Sequence, residues 1–335
     1  MTVAEFMALA NAEYYAARDP FGRAGDFVTA PEISQVFGEL LGLWCVQVWR
    51  DQNRPSPKRL VELGPGRGTL MADALRAAKL APEFLDALDV VLVEASPLLR
   101  AKQEELLKGE KVQWQERFDS VPNDRPLLLL ANEFFDALPI RQFVKTARGW
   151  CERMVTRAGD KLAFALAPVP VADALIPVDR ADAPDGAVYE MCQPALAIVG
   201  EIARGVAAQG GGALIVDYGY DAPAFGETLQ AVRGHAFASV LDNPGDRDLS
   251  AHVDFAALAA AAEAEGASVY GPVSQAAFLE ALGIAQRFEQ LASHNRATAS
   301  TLWAQLDRLV NAKQMGTLFK ALAILPKVAP RPPGF

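Results

Sequence analysis

The stretch RLVELGPGRGTLMADALRAA, Arg59 to Ala78, constrains the fold more than any other part of the chain. Arg59 to Leu63 is short and mostly apolar, as a strand buried in a parallel sheet reads. Gly64, Gly66 and Gly68 follow within five residues. From Thr69 onward, Leu70, Ala74, Leu75 and Ala78 recur at helical spacing. Strand, glycine turn and helix in that order open a doubly wound nucleotide-binding sheet. The turn is tight and a ligand must approach its backbone, which favours residues without a side chain. The helix start behind it offers unpaired N–H groups to an anionic part of that ligand.

Spacing narrows the choice of ligand. A dinucleotide fingerprint wants G-x-G-x-x-G, but Thr69 stands where the third glycine should be and Gly68 comes one residue early. A phosphate-cradling P-loop wants a lysine after its last glycine, and none follows here. An NAD-linked oxidoreductase therefore stays as a rival that Thr69 disfavours. What remains, Glu62-x-Gly64-x-Gly66-x-Gly68, resembles the first motif of the S-adenosylmethionine-dependent methyltransferases. That cofactor has no pyrophosphate, and Glu62 would set a carboxylate near its ammonium and sulfonium charges. Taken alone, the stretch also reads as a strand-to-helix turn with an incidental carboxylate.

Other segments add to this frame. Residues 2–17 read as a helix with Thr2 and Glu5 as a capping box. Asp19 to Gly25 is turn-rich. Thr29 then caps a helix with Pro31 in its first turn and a wide apolar face from Ile33 to Trp44. Asp26, Thr29, Glu32 and Gln35 cluster at its start; it is a packing helix, or a lid with Thr29 and Glu32 touching the cofactor. The second strand, Val90 to Val93, ends at Glu94, where a ribose is held in such folds; Glu94 also suits the helix start that Ser96 and Pro97 announce. After a third strand at 112–114, Asp119 is placed to accept from an adenine amino group while Phe118 packs on the ring, or is simply solvated.

Pro126 to Ala131 is the clearest buried strand, and it runs into Asn132-Glu133-Phe134-Phe135-Asp136-Ala137-Leu138-Pro139. Ligands of open α/β sheets sit beyond strand carboxyl ends, so Asn132, Glu133 and Asp136 are placed to meet the methyl acceptor, or else Phe134 and Phe135 are core and the acids cap the next turn. Carboxylates beside aromatic rings suit a planar cation such as a guanidinium. Residues 150–155 and 162–166 form a hairpin, followed by an irregular segment to 187. A helix at 194–208, a fifth strand at 213–220, a sixth at 266–273, helices at 274–283 and 285–315, and a last strand at 317–325 complete the pattern. Asp254 reads as the N-cap of a helix; His252 just before it is either structural or a proton carrier near the active site.

The net charge of −9 argues against a nucleic-acid binder that relies on a basic field. Cys45, Cys151 and Cys192 suggest no disulfide framework, and His235, His252 and His294 are too dispersed for a zinc motif. No apolar run reaches membrane-spanning length and the first residues lack a basic leader, so a bacterial cytoplasm is the expected compartment.

GDFVTAPEISQVFGELLGLW, VELGPGRGTLMADALR, LVEASPLLRAKQ, LLLANEFFDALPIRQF, LIVDYGY, TLQAVRGH, SAHVDF, FLEALGI and MGTLFKALA follow one another as in the MidA family, which includes a mitochondrial complex I assembly methyltransferase and bacterial relatives. The resemblance covers nearly the whole chain. It implies an α/β, Rossmann-like class I methyltransferase: a mostly parallel, twisted, seven-stranded sheet with helices on both faces. Residues 1–53 would form a helical lid, 54–140 and 190–335 the cofactor domain, and 141–189 an inserted hairpin and irregular segment. It further implies S-adenosylmethionine held by Glu62, Gly64, Gly66, Gly68 and Glu94, with methyl transfer to an arginine of a respiratory complex I subunit in the mitochondrial branch. Arg247 and Ser250 depart from the family pattern but leave His252 and Asp254 in place. Another protein side chain, a small-molecule acceptor, or a largely non-catalytic assembly factor stay open as alternatives, as does a homodimer.

Overall fold

The computed structural model describes all residues except 18–27, 173–174, 178–179, 181–182, 223 and 234–235. The turn-rich segment Asp19 to Gly25, Asp26 and His235 therefore lie outside the described residues. A central sheet carries the fold. Its strands are β1 (Lys58–Leu63), β2 (Leu88–Val93), β3 (Val112–Gln115), β4 (Leu127–Asn132), β5 (Gly211–Tyr220), β6 (Ser268–Ser274) and β7 (Phe319–Leu325). They lie in the order β6-β7-β5-β4-β1-β2-β3, with the short bridge Val253–Asp254 also paired to β5. The first five run parallel, while β7 is antiparallel to both neighbours. This is the mostly parallel sheet that the sequence led us to expect, with the two-residue strand Val253–Asp254 as an eighth member beside the expected seven.

Alternation along the strands explains why both faces are covered. Leu60, Leu92, Leu128, Leu130 and Leu214 point to one side, into a cluster with Trp44, Leu70, Met71 and Phe288. Val61, Val91, Leu129, Ala213 and Ile215 point to the other, against Val199, Ile202, Phe255 and Leu258. The covering helices are α1 (Val3–Ala17), α2 (Ala30–Ile33), α3 (Gln35–Asp51), α4 (Thr69–Ala78), α5 (Pro97–Leu106), α6 (Gln193–Gln209), α7 (Phe255–Ala264), α8 (Gln275–Ala281), α9 (Ile284–His294) and α10 (Ala299–Val310). Helix α3 lies so close to α4 that a Cβ on Gly42 would fall 2.5 Å from Ala74 Cα.

Several local expectations hold. Thr2 and Glu5 exchange the hydrogen bonds of a capping box, Thr2 N–H to Glu5 Oε2 at 2.7 Å and Glu5 N–H to Thr2 Oγ1 at 3.1 Å. Asp254 caps α7 by accepting from Ala257 N–H at 2.9 Å. Others need correction. The single helix expected after Thr29 is two, because Ser34 is extended (φ −157°, ψ 137°) and its hydroxyl accepts from Val36 N–H to start α3 afresh. The long helix expected over 285–315 is likewise divided: α9 ends at His294 and α10 begins at Ala299.

The hairpin at 149–166 belongs to a larger sheet. Arg141–Thr146 and Val188–Met191 pair beside it, giving four antiparallel strands across the segment read as hairpin plus irregular chain. Arg141–Thr146 mixes charged, polar and apolar residues, so its sequence pattern carries little strand signal. A small sheet of Gln230–Arg233, Ala236–Ala238 and Asp248–Ser250 sits nearby. Helix α1 packs between these sheets through Val3, Phe6, Met7 and Ala10, against Ile140, Val155, Leu229 and Leu249.

Candidate active site

The parallel register aligns Leu63 with Val93 and with Ala131, and Asn132 with Val216. The carboxyl ends of β1, β2, β4 and β5 therefore open side by side, as ligand-binding ends of such sheets do. A cleft of about 800 Å³ lies there. Gly64, Gly66, Glu94, Phe118, Asp119, Glu133 and Phe134 line it from the sheet side, and Asn11 and Tyr15 from α1. An adjoining polar cavity of about 30 Å³ is walled by Thr29, Glu32, Glu62, Gly64, Gly66, Asn132 and Glu133. Gly64, Gly66 and Glu133 border both, so the two spaces meet at the glycine turn.

Each glycine of the turn has positive φ: +60° at Gly64, +55° at Gly66 and +85° at Gly68. A Cβ on Gly64 would also stand 2.8 Å from the Phe134 ring. Glu62 is buried on the strand leading in. Burial pushes its carboxyl up to about 8, against a hydrogen bond from the Met71 backbone and with the nearby Glu94 charge adding to the rise. Glu62 Oε2 and Asn132 Oδ1 are buried acceptors without a hydrogen-bond partner among the described residues. A buried unpaired acceptor is costly, so two beside one small cavity favour a cationic or donor group between them.

Glu94 stands just past β2. Its Oε1 accepts from Ser96 N–H at 2.8 Å and its Oε2 from Gln103 Nε2 at 3.1 Å. Burial raises its pKa; the Ser96 and Ala95 N–H groups and the Gln103 amide work in the opposite direction. Asp119 borders the cleft, and Arg117 holds its carboxylate in a paired contact (2.6 Å to Oδ2) that the sequence did not reveal. Thr29 occupies the N-cap of α2 without a side-chain cap bond. Glu32 accepts from Thr69 Oγ1 at 2.6 Å and lies 3.6 Å from Arg67, tying α2 to the glycine turn.

Beyond β4 the backbone turns sharply. Glu133 adopts φ +50°, a left-handed value rarely taken by a residue with a side chain. Its Oε1 accepts from Ala30 N–H at 3.0 Å and from Asn132 Nδ2 at 3.1 Å. Burial lifts its pKa to about 7; Asp136 pushes it further up, while the Ala30 N–H, Asn132 and Arg308 pull it down.

The turn is held by a residue the sequence reading passed over. Asp217, fully buried at the end of β5, accepts through Oδ2 from Phe134 N–H (3.1 Å), Phe135 N–H (2.9 Å) and Asp136 N–H (3.3 Å), and through Oδ1 from Tyr218 N–H (2.9 Å). Consecutive N–H groups converging on one carboxylate form an anion nest. The sequence signal for it is an acid after the apolar run Ala213 to Val216 of β5.

Asp136 and Glu133 are not brought to the same surface. Asp136 is buried behind the turn, hydrogen-bonded to the Tyr218 hydroxyl, and burial raises it to about 6. It does not border the cleft. His252 stacks edge-on against Tyr218, with ring centroids 5.5 Å apart, and lines a separate cavity of about 40 Å³ with Glu190, Tyr220 and Asp254. Desolvation lowers its pKa. Helix α1, part of the segment expected as a helical lid, borders the cleft: Asn11 Nδ2 donates to Ala137 O (3.1 Å) and Leu249 O (2.8 Å), and Ser96 Oγ donates to Tyr15 O (2.9 Å).

Known proteins resemble this architecture. The profile of a family described as S-adenosyl-L-methionine-dependent methyltransferase matches residues 40–273. The mitochondrial protein arginine methyltransferase NDUFAF7 of Mus musculus is 39% identical, over 97% of this chain and 81% of its own length. The Homo sapiens protein of that name is 38% identical over 97% of this chain and 80% of its own length. A Burkholderia thailandensis protein solved bound to S-adenosyl-homocysteine superimposes with a TM-score of 0.89 at 28% identity, covering 100% of this chain and 90% of that one. The family match takes in the glycine turn, Glu94, Asp119 and Glu133, and with the near full-length relatives it places the chain in this family: it is an S-adenosyl-L-methionine-dependent methyltransferase.

Proposed function

We propose that this methyltransferase acts on the guanidinium of a protein arginine, and that Glu133 is the carboxylate that receives it. The observation that carries the reading is Glu133 itself. It borders the cleft, one oxygen is tied to Ala30 and Asn132, and Oε2 has no hydrogen-bond partner among the described residues. Relatives named protein arginine methyltransferases, alike over nearly the whole chain, support the choice of acceptor.

The cofactor assignment follows the shape of the site. Glu62 Oε2 and Asn132 Oδ1 would accept from the cofactor's ammonium, the backbone of Gly64, Gly66 and Gly68 would pass along its chain, and Glu94 would take the ribose hydroxyls. Asp119 and Phe118 would meet the adenine, while Thr29 and Glu32 would close the small cavity. These groups suit a ligand with a cation and no phosphate. When bound, the cofactor supplies an electrophilic methyl on a sulfonium.

Glu133 would hold the guanidinium so that one nitrogen faces that methyl, and would accept the proton released as the nitrogen is alkylated. Its raised pKa, about 7, matches that duty at neutral pH. Positioning and exclusion of water would do most of the rest. Asp136 would act one layer back, through the Tyr218 hydroxyl, and His252 through its edge-on contact with the same ring. We further propose a respiratory complex I subunit or its bacterial equivalent as the acceptor, a bacterial cytoplasm as the compartment, consistent with three free cysteines, and a homodimer as a testable assembly. Among the described residues, no helix is long and apolar enough to cross a membrane.

Labelled S-adenosylmethionine incubated with lysate proteins, followed by mass spectrometry of the labelled residue, tests the acceptor: label on arginine is expected, and label on another residue type overturns it. Glu133→Gln should lower kcat by about 100-fold or more, the scale of a lost general base. Wild-type turnover should rise with pH up to about 7 as Glu133 ionises, and this limb should vanish in Glu133→Gln. A near-normal rate in that variant would remove Glu133 from the chemistry.

A further inference from the structure

Gln103 belongs neither to the glycine turn nor to a strand end, yet it joins the two. It projects from α5 and is fully buried. Trp114 Nε1–H donates to its Oε1 at 2.9 Å. An indole N–H can only donate, so the amide oxygen must face Trp114. The two hydrogens of Nε2 then point the other way, one to Gly66 O at 2.7 Å and one to Glu94 Oε2 at 3.1 Å. A carbonyl and an ionised carboxylate can only accept, so the amide has one permitted sense. Gly68 lets the helix come this close: a Cβ there would lie 3.3 Å from Gln103 Cγ.

The consequence falls on Glu94. Ser96 N–H holds one of its oxygens and Gln103 the other, which fixes the plane of the carboxylate. A carboxylate has about four acceptor sites, so capacity remains on a group that lines the cleft. We propose that Gln103 is a specificity-determining positioning residue: it sets the plane of Glu94 so that the site reads both hydroxyls of a ribose, and it locks that reading to the Gly66 carbonyl. Without the amide, Glu94 keeps its charge near the cleft but loses its fixed orientation. This rests on the cofactor assignment above.

The test uses S-adenosylhomocysteine and its 2′-deoxy analogue, with binding to the full chain measured by calorimetry. Wild-type protein should prefer the ribose form by about 10-fold or more, the scale of a hydrogen bond to a charged group. Gln103→Leu should weaken S-adenosylhomocysteine by roughly 10-fold and shrink the preference to about 3-fold or less. A general packing defect would weaken both ligands equally and leave the ratio intact, and that result overturns the proposal. Trp114→Phe keeps Gln103 but removes the donor that sets its sense; it should narrow the ratio by a smaller amount, and an unchanged ratio there counts against the proposal even if Gln103→Leu does not fold. Failure of the wild-type protein to bind S-adenosylhomocysteine would strike the cofactor assignment itself, whereas binding with an unaltered ratio in both variants strikes only Gln103.

Discussion

On the β1–β2 side of the cleft, Glu62, the glycine turn, Glu94 and Gln103 come from one continuous stretch of chain. At the end of β4, the groups around Glu133 come from segments scattered from Ala30 through Asp217 to Arg308. The first side is shaped mainly by backbone conformation, and added bulk should ruin it. The second is shaped by buried carboxylates: burial raises Glu133 and Asp217, and their acidic neighbours raise them further, so it should answer to charge and pH. On the proposed assignment binding energy and chemistry fall on different kinds of scaffold, and variants can be chosen to separate them.

The largest expected effect is at Gly64. Gly64→Val meets a left-handed φ and the Phe134 ring at once, so S-adenosylhomocysteine binding should fall by about 100-fold or more while circular dichroism keeps its native form. Asp217→Ala should come next, with the opposite signature. It strands the N–H groups of Phe134, Phe135 and Asp136, each costing on the order of 1–3 kcal/mol if left unpaired, and loosens Glu133. Turnover should drop by about 100-fold with cofactor affinity within roughly 3-fold of wild type. If kcat and affinity fell together, the two sides would not be separable.

Glu62→Gln sharpens the comparison through pH. Glu62 titrates at about 8 in the folded chain, against an ordinary 4.5. As pH rises from the lower to the higher value, the unfolded chain loses this proton first, so stability declines across that window. The glutamine variant escapes the decline: its Tm without cofactor should exceed wild type at pH 8 and match it at pH 5, while cofactor affinity falls by about 10-fold. The smallest effect is expected for Asn11→Ala. It removes the links from α1 to Ala137 and Leu249, costing about 1–3 kcal/mol in denaturant unfolding, with only a modest loss of cofactor affinity.

Much of the glycine-turn side was legible because its signals are local. A strand of apolar residues, glycines that need positive φ, and a capped helix are each written within a few residues, and so is the acid that ends β2. The far side was legible only in part. Glu133 stood out because polar residues crowd the end of an apolar strand, but nothing in the sequence separates Glu133, which borders the cleft, from Asp136, which is buried behind it. His252 was picked for its chemistry, and the fold sets it in a neighbouring cavity. Gln103 looked like any amide on an amphipathic helix until Trp114 and Glu94 closed around it.

The chain's own order of residues therefore determined the sheet, its helices and the kind of ligand its first turn can hold, since periodicity and glycine conformation act between neighbours in sequence. Which carboxylate meets the cleft, which one clamps the backbone and which amide holds Glu94 were decided only when distant strands lay side by side. Burial and hydrogen-bond direction give those groups their roles, and both are properties of surroundings that no short stretch of sequence contains.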